Sequence, residues 1–295
     1  MNNTHNGIIA AIIAALFFGM GNPYAKLVLS SVNPLALSVI SAAFSGVILA
    51  AIAVFANKGL PKFERNDLWN YLGIGILGFA IPSILTLYAL SMTTALSLII
   101  ILRSEIFFGT IFGVVFFKEE INLKQIAGIV AGFIGVFIFA TELNFISINS
   151  GDILALVATF FWSAYLIYAR KLSEKWDPYS IAAIRYWVAL PFLFALLIFL
   201  NIPLSMPQSE YANFSVFALS IYVFGVCAYN YAIRKVGIWR AAVPTQLLTV
   251  FFGAVITWLV LGETMSAMKW AGSALIVGGT VLAIVQKKTP SGPNS

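Results

Sequence analysis

The chain has little of what catalysis, redox chemistry or metal binding requires. Its 295 residues hold one cysteine, Cys227, and one histidine, His5. A lone cysteine excludes an internal disulfide and a cysteine-based metal cluster. His5 lies in a polar N-terminal stub, so the apolar body has neither a histidine metal site nor a histidine base. Neither cofactor nor metal is expected. Charge is scarce as well: 9% of residues are charged against 61% hydrophobic, and mean hydropathy is +0.95. That leaves too little polar surface to cover a water-soluble globule of this length. The net charge of +6 could suit a polyanion. Its basic residues follow the connections between apolar runs instead, as topology signals do, and nucleic acid is not an expected partner.

Long apolar runs are what the chain has in quantity. A hydrocarbon core of roughly 30 Å takes about 20 helical residues to cross. Ten runs approach that length, at roughly 8–30, 34–56, 68–90, 95–117, 123–141, 152–170, 179–200, 212–233, 237–261 and 267–286. They are too long, and alternate too little, to be barrel strands. The expected fold class is an all-α integral membrane protein, with the lipid bilayer as its solvent.

The chain also repeats itself. A shift of 144 residues lays Gly7, Ile9, Ala11, Ala14, Phe17, Tyr24, Ala25 and Pro34 on Gly151, Ile153, Ala155, Ala158, Phe161, Tyr168, Ala169 and Pro178. Further on, Phe107-Phe108-Gly109 falls on Phe251-Phe252-Gly253, Glu119 on Glu263, and Ala127, Gly128 and Gly135 on Ala271, Gly272 and Gly279. The boundaries read as a first repeat over 7–142, a second over 151–286 and a cytoplasmic tail over 287–295. Of the 17 Lys and Arg residues, 13 fall on the side holding the N-terminus. Lys26 and Lys269 lie on the other side, and Arg103 and Arg185 lie inside runs. The positive-inside rule then places both termini in the cytoplasm. Five crossings per repeat is an odd number, so the expected architecture is ten transmembrane helices as two inverted five-helix repeats. Inverted halves around a central site are a sequence pointer to alternating access.

Each repeat opens with an aromatic-small pair, a basic residue further on, and a proline starting the next run: Phe18-Gly19, Lys26 and Pro34, then Trp162-Ser163, Arg170 and Pro178. Each ends its fourth run with a glutamate followed by spaced glycines: Glu119 with Gly128 and Gly135, then Glu263 with Gly272 and Gly279. In these features the chain resembles the EamA-type carriers of the drug/metabolite transporter superfamily. Arg185 also fits that pattern, whereas the first repeat has Ser41 at the matching place. The resemblance implies a non-enzymatic metabolite carrier in the cell inner membrane, with export favoured. It leaves the cargo open, because such a scaffold is reused for many solutes.

Among single residues, Arg103 and Glu105 stand out. They lie about 12 and 15 Å into the fourth run at 1.5 Å per residue, near the midplane. A charge there costs about 2.5–3.5 kcal/mol on insertion scales, so it should face a wet path or a partner. On a transport path Arg103 would receive a carboxylate and Glu105 a cationic group or a proton; the alternative is a charge pair locking helices together. Residues two apart project about 200° from each other on a regular helix and cannot easily pair directly. Further candidates for binding are Asn22, Tyr88, Trp162, Tyr165, Tyr229, Asn230 and Gln246, although polar-tipped aromatics also pack with a single hydrogen bond.

Pro23, Pro82, Pro191 and Pro244 should each break a helix. Gly19, Gly21 and Pro23 form the candidate hinge, with a packing kink as the alternative. Trp69, Trp176, Trp239 and Trp270 are expected in interfacial belts. Glu119 and Glu263 are expected in a helix-capping or interface role, and Gly128, Gly132 and Gly135, partly echoed by Gly272, Gly278 and Gly279 on the tenth run, to suit close helix packing.

The expected cargo is a small-molecule metabolite, an amino acid or related zwitterion first, with another metabolite or a drug as the alternative. A proton is the candidate coupling ion and a homodimer the candidate assembly. An intramembrane enzyme or a non-transporting assembly subunit are the readings outside transport.

Overall fold

The computed structural model describes residues 2–57, 64–118, 122–142, 149–173, 175–236 and 238–284, and these are helical with short connections. The helices are α1 (Asn2–Val28), α2 (Pro34–Asn57), α3 (Arg65–Met92), α4 (Ala95–Phe117), α5 (Leu123–Thr141), α6 (Ser150–Leu172), α7 (Pro178–Phe199), α8 (Gln208–Val236), α9 (Ile238–Leu261) and α10 (Ala267–Ile284). Among the described residues, eight have windows long and apolar enough to cross a membrane, while α5 and α10 carry shorter apolar stretches. No strand occurs among them. Asp177 caps α7 by accepting from Tyr179 and Ser180 N–H, directly before Pro178, where a missing donor costs nothing. Asn122 and Gln125 form a reciprocal capping box at the start of α5. The tail beyond 284, Glu119 and the side chain of Trp239 lie outside the description.

Large apolar side chains face outward along most helices, including Phe55, Val115, Phe199 and Trp258. On a chain this apolar, that surface is what lipid covers. Inside, Phe79, Phe107, Phe139, Tyr186 and Phe217 are fully buried.

Pairing between the two halves positions the centre. α5 packs on α10 and α2 on α7; α1 lies against α8 and α9, and α6 against α3 and α4. The α5–α10 contact follows from its glycines, as expected: a Cβ on Gly279 would meet Gly128 O at 2.5 Å, and one on Gly135 would meet Gly272 O at 2.8 Å. Gly278 takes no part, because a Cβ there would meet nothing within 4 Å. Small residues let backbones approach where lipid gives no hydrophobic drive between helices.

The prolines correct one expectation. Pro23, Pro191 and Pro244 lie inside continuous helices. Pro82 follows a π-helical stretch, Gly73–Ala80, whose wider turns give room where the ring would strike a carbonyl. A second π-helical stretch, Leu219–Gly225, lies on α8. Trp176 is a second correction. It is buried against Tyr71, with rings 5.3 Å apart, so it serves the core and not an interface belt. Trp69 and Trp270 are exposed.

Candidate functional site

The regular winding of α4 fails where its charges begin. After the buried run Leu98–Ile101, residues Leu102–Ser104 form a 3-10 turn before α-helix resumes at Glu105. A tight turn inside a spanning helix frees backbone groups and re-aims the side chains around it. Arg103 turns back along the helix, donating from Nε to Ile99 O at 3.2 Å, and reaches across to α9 from Nη1 to Gln246 Oε1 at 2.6 Å. Arg103 and Gln246 line a narrow cleft with Leu247, Val277 and Thr280 that leaves no room for a water molecule. A larger groove of about 460 Å³ has wholly apolar walls, among them the exposed Phe251 and Trp258, and suits lipid better than a polar solute.

Glu105 makes no ion pair with Arg103 among the described residues, as the two-residue spacing anticipates. It lies within electrostatic reach of Arg103 and Tyr229 and, in another direction, of Arg185 and Tyr165. Ser163 on α6 shares its hydroxyl between the main-chain carbonyls of Glu105 and Thr159, each at 2.9 Å, and so ties α6 to the irregular turn. Opposite charges thus meet between helices from both halves.

Arg185 is the residue whose role the sequence left unread. Its guanidinium carbon lies 4.9 Å from the ring centre of Tyr165, 5.0 Å from Tyr186, and 5.7 Å from both Phe79 and Trp162. Nη2 donates to Tyr186 Oη at 2.9 Å. Buried Nε has no hydrogen-bond partner among the described residues. Trp162 is fixed in turn by donating from Nε1 to Thr86 Oγ1 at 2.9 Å. The available signal was an intramembrane arginine that fits the family pattern, with aromatics at 79, 162, 165 and 186, but only the fold brings three helices together around it.

The other candidates are dispersed. Tyr229 packs edge-on to Phe18, centroids 6.2 Å apart, and shares the Arg103–Glu105 neighbourhood. Asn22 is buried on α1, where Gly19 abuts the backbone of Gly253 and Gly21 abuts Ile221. Tyr88 and Asn230 are half-buried, and no described contact brings them to the charged group.

A second polar cluster closes one end of the bundle. Glu263, after α9, accepts from the N–H groups of Ala95 and Leu96 at 3.1 Å each and pairs with Lys26 at 3.8 Å. It caps α4 across the two halves, where the sequence suggested the helix that follows it. Lys26 also donates to the carbonyls of Leu90, at 3.3 Å, and Thr93. At the opposite end Lys175 bridges Glu64 (2.7 Å) and Asp67 (2.9 Å), and these bonds hold its ammonium above the usual lysine range.

Helices bristling with outward apolar side chains around half-buried opposite charges define a membrane transporter. The EamA-like transporter family matches residues 5–141 and again 149–285, and the chain belongs to that family. An uncharacterized transporter of Methanothermobacter thermautotrophicus is 28% identical over 94% of this chain and 85% of its own. A protein of Escherichia coli named a probable amino-acid metabolite efflux pump is 24% identical over 94% of each chain. One from Salmonella typhimurium with the same name is 28% identical over 63% of this chain and 66% of its own. These are named as transporters and pumps, not enzymes. One solved crystal structure superposes with a TM-score of 0.65 over 96% of each chain at 15% identity, a likeness of fold alone.

Proposed function

We propose that the protein is a secondary carrier that moves an amino acid or related zwitterion across the inner membrane by alternating access, with export as its direction. The observation that carries the reading is the hydrogen bond from Arg103 to Gln246 across the two halves, with Glu105 and Tyr229 within electrostatic reach of the same guanidinium. Uncompensated charges so deep are costly and are retained for a solute or ion path. A zwitterion presents the complementary pair of charges. The names of the E. coli and Salmonella relatives favour amino-acid cargo and outward movement.

Ten crossings in two inverted repeats suit this mechanism. The two π-helical stretches support the repeat, because the 144-residue shift carries Gly73–Ala80 almost onto Leu219–Gly225. Helix pairing supports it too: α5–α10 and α2–α7 map onto themselves, and α1 against α8 and α9 maps onto α6 against α3 and α4. Both termini lie in the cytoplasm on this reading, the Gly19–Pro23 segment absorbs the motion, and Glu105 carries the coupling proton.

Cells fed dipeptides build up the released amino acids, and expression of the carrier should lower that internal pool while raising the external one. Unchanged pools across the dipeptide panel count against export. Labels at Lys175 and Gln208 should report opposite faces, cytoplasmic and external; the same face for both would remove the inversion.

A further inference from the structure

We infer that Arg185, rather than Arg103, is the residue that receives the carboxylate of the cargo, bound edge-on at its free Nε. The inference rests on the carrier reading and assigns the two arginines different tasks. Arg103 is committed, with Nη1 held by Gln246 Oε1 at 2.6 Å and Nε by Ile99 O at 3.2 Å. Among the described residues Arg185 is held by one hydrogen bond, to Tyr186 Oη, and its buried Nε has none. Leaving a charged donor unsatisfied away from water costs more than leaving a neutral one, so a purely structural arginine would be expected to have an acceptor in the protein. Among the described residues no carboxylate lies within ion-pair distance of it.

The rings decide which ligand geometry remains. Tyr165, Tyr186, Phe79 and Trp162 surround the guanidinium and stabilise its charge by cation–π contact; Tyr186 Oη accepts from Nη2, and none of the four supplies an anion. What the cage leaves is the in-plane N–H edge, which matches a planar carboxylate. Arg185 lies about 10 Å along α7 from Pro178, and its Nε is buried. Glu105, within electrostatic reach, offers the opposite charge for the ammonium group of the same molecule. The matching position in the first half is Ser41, so the carboxylate site belongs to the second half alone. The cargo class that fits is an α-amino acid with an apolar or aromatic side chain, which the ring cage accepts.

The test uses the full-length protein in nanodiscs, with L-phenylalanine and L-leucine as probes and L-phenylalaninamide as the analogue that keeps ring and ammonium but lacks the carboxylate. Binding is read by calorimetry and by tryptophan fluorescence, since Trp162 stands beside the guanidinium. At least one amino acid should bind the wild type, with the amide weaker by about tenfold or more, the scale of a lost charge-assisted pair. Arg185→Gln should lose about as much, Arg185→Lys an intermediate amount because it keeps the charge without the fork, and Arg103→Gln less than Arg185→Gln. Circular dichroism and size-exclusion profiles confirm that each variant is folded, and Arg185→Lys serves if Arg185→Gln is not. Equal binding of acid and amide, Arg185→Gln or Arg185→Lys at wild-type affinity, or a larger loss in Arg103→Gln overturns the assignment, as does failure of both amino acids to bind the wild type. Binding without flux keeps this site and removes the carrier reading; flux with Arg185→Gln unimpaired does the reverse.

Discussion

Thr93, at the end of α3, donates its hydroxyl to the buried carboxylate of Asp152 at the start of α6, joining the two halves of the chain at one end of the bundle. Beside it, Lys26 and Glu263 join α1, the start of α4 and the end of α9. Lys269 on α10 reaches Ser97 at 3.4 Å and Glu142 at 3.9 Å, adding the end of α5. Any motion that opens this end must break these bonds together.

Glu263→Gln and Asp152→Asn should therefore loosen this end. Each weakens buried, charge-assisted hydrogen bonds worth about 1–3 kcal/mol. In a Cys227→Ala background, a cysteine placed at buried Ser97 should react faster with a membrane-impermeant thiol reagent when either substitution is added. Equal rates would mean the cluster does not hold that end shut.

The α5–α10 seam should tolerate no side chain. In Gly279→Val the new Cβ would stand 2.5 Å from Gly128 O and 2.7 Å from Gly132 N, so backbones must part. The expected cost is about 1–3 kcal/mol, seen as a lower Tm in detergent. Gly278→Val, where a Cβ meets nothing within 4 Å, is the matched control and should leave Tm near the wild-type value.

Periodicity and glycine spacing made much of this fold legible. Apolar runs gave the helices to within a few residues at most ends, and the glycines at 128, 132, 135, 272 and 279 marked the seam. Residue identity also anticipated that Arg103 and Glu105 would not pair directly. What escaped was tertiary. Trp176 reads as an interface residue from its place beside charges, yet it is buried because Tyr71 packs on it from another helix. The cap made by Glu263 spans 168 residues to Ala95, a separation that no local pattern encodes. Arg185 fits the family pattern, but its surroundings come from rings on α3, α6 and α7 that only the fold brings together. The prolines misled because the helices run on through them, and Pro82 is relieved by a π-helical stretch beside it.

On the proposed carrier reading helix α1 absorbs the motion, and its continuity sharpens the hinge prediction. Gly19 lies against Gly253 and Gly21 against Ile221, so α1 touches the other half through two glycines. Pro23 removes one backbone hydrogen bond just beyond them. Pro23→Ala should restore it and stiffen the segment, lowering the maximal transport rate several-fold while leaving affinity within a few-fold. A lost affinity with an unchanged maximal rate would make the segment a binding element.

The central claim is that half-buried opposite charges carry an amino-acid zwitterion across the bilayer. Counterflow in proteoliposomes tests it most directly: vesicles loaded with one unlabelled amino acid should accumulate the same labelled amino acid transiently and saturably, for at least one member of a panel of twenty. The account predicts that Glu105→Gln flattens the dependence of proton-driven flux on pH, because it removes the carboxylate that exchanges protons. No counterflow for any amino acid by folded wild-type protein would contradict it.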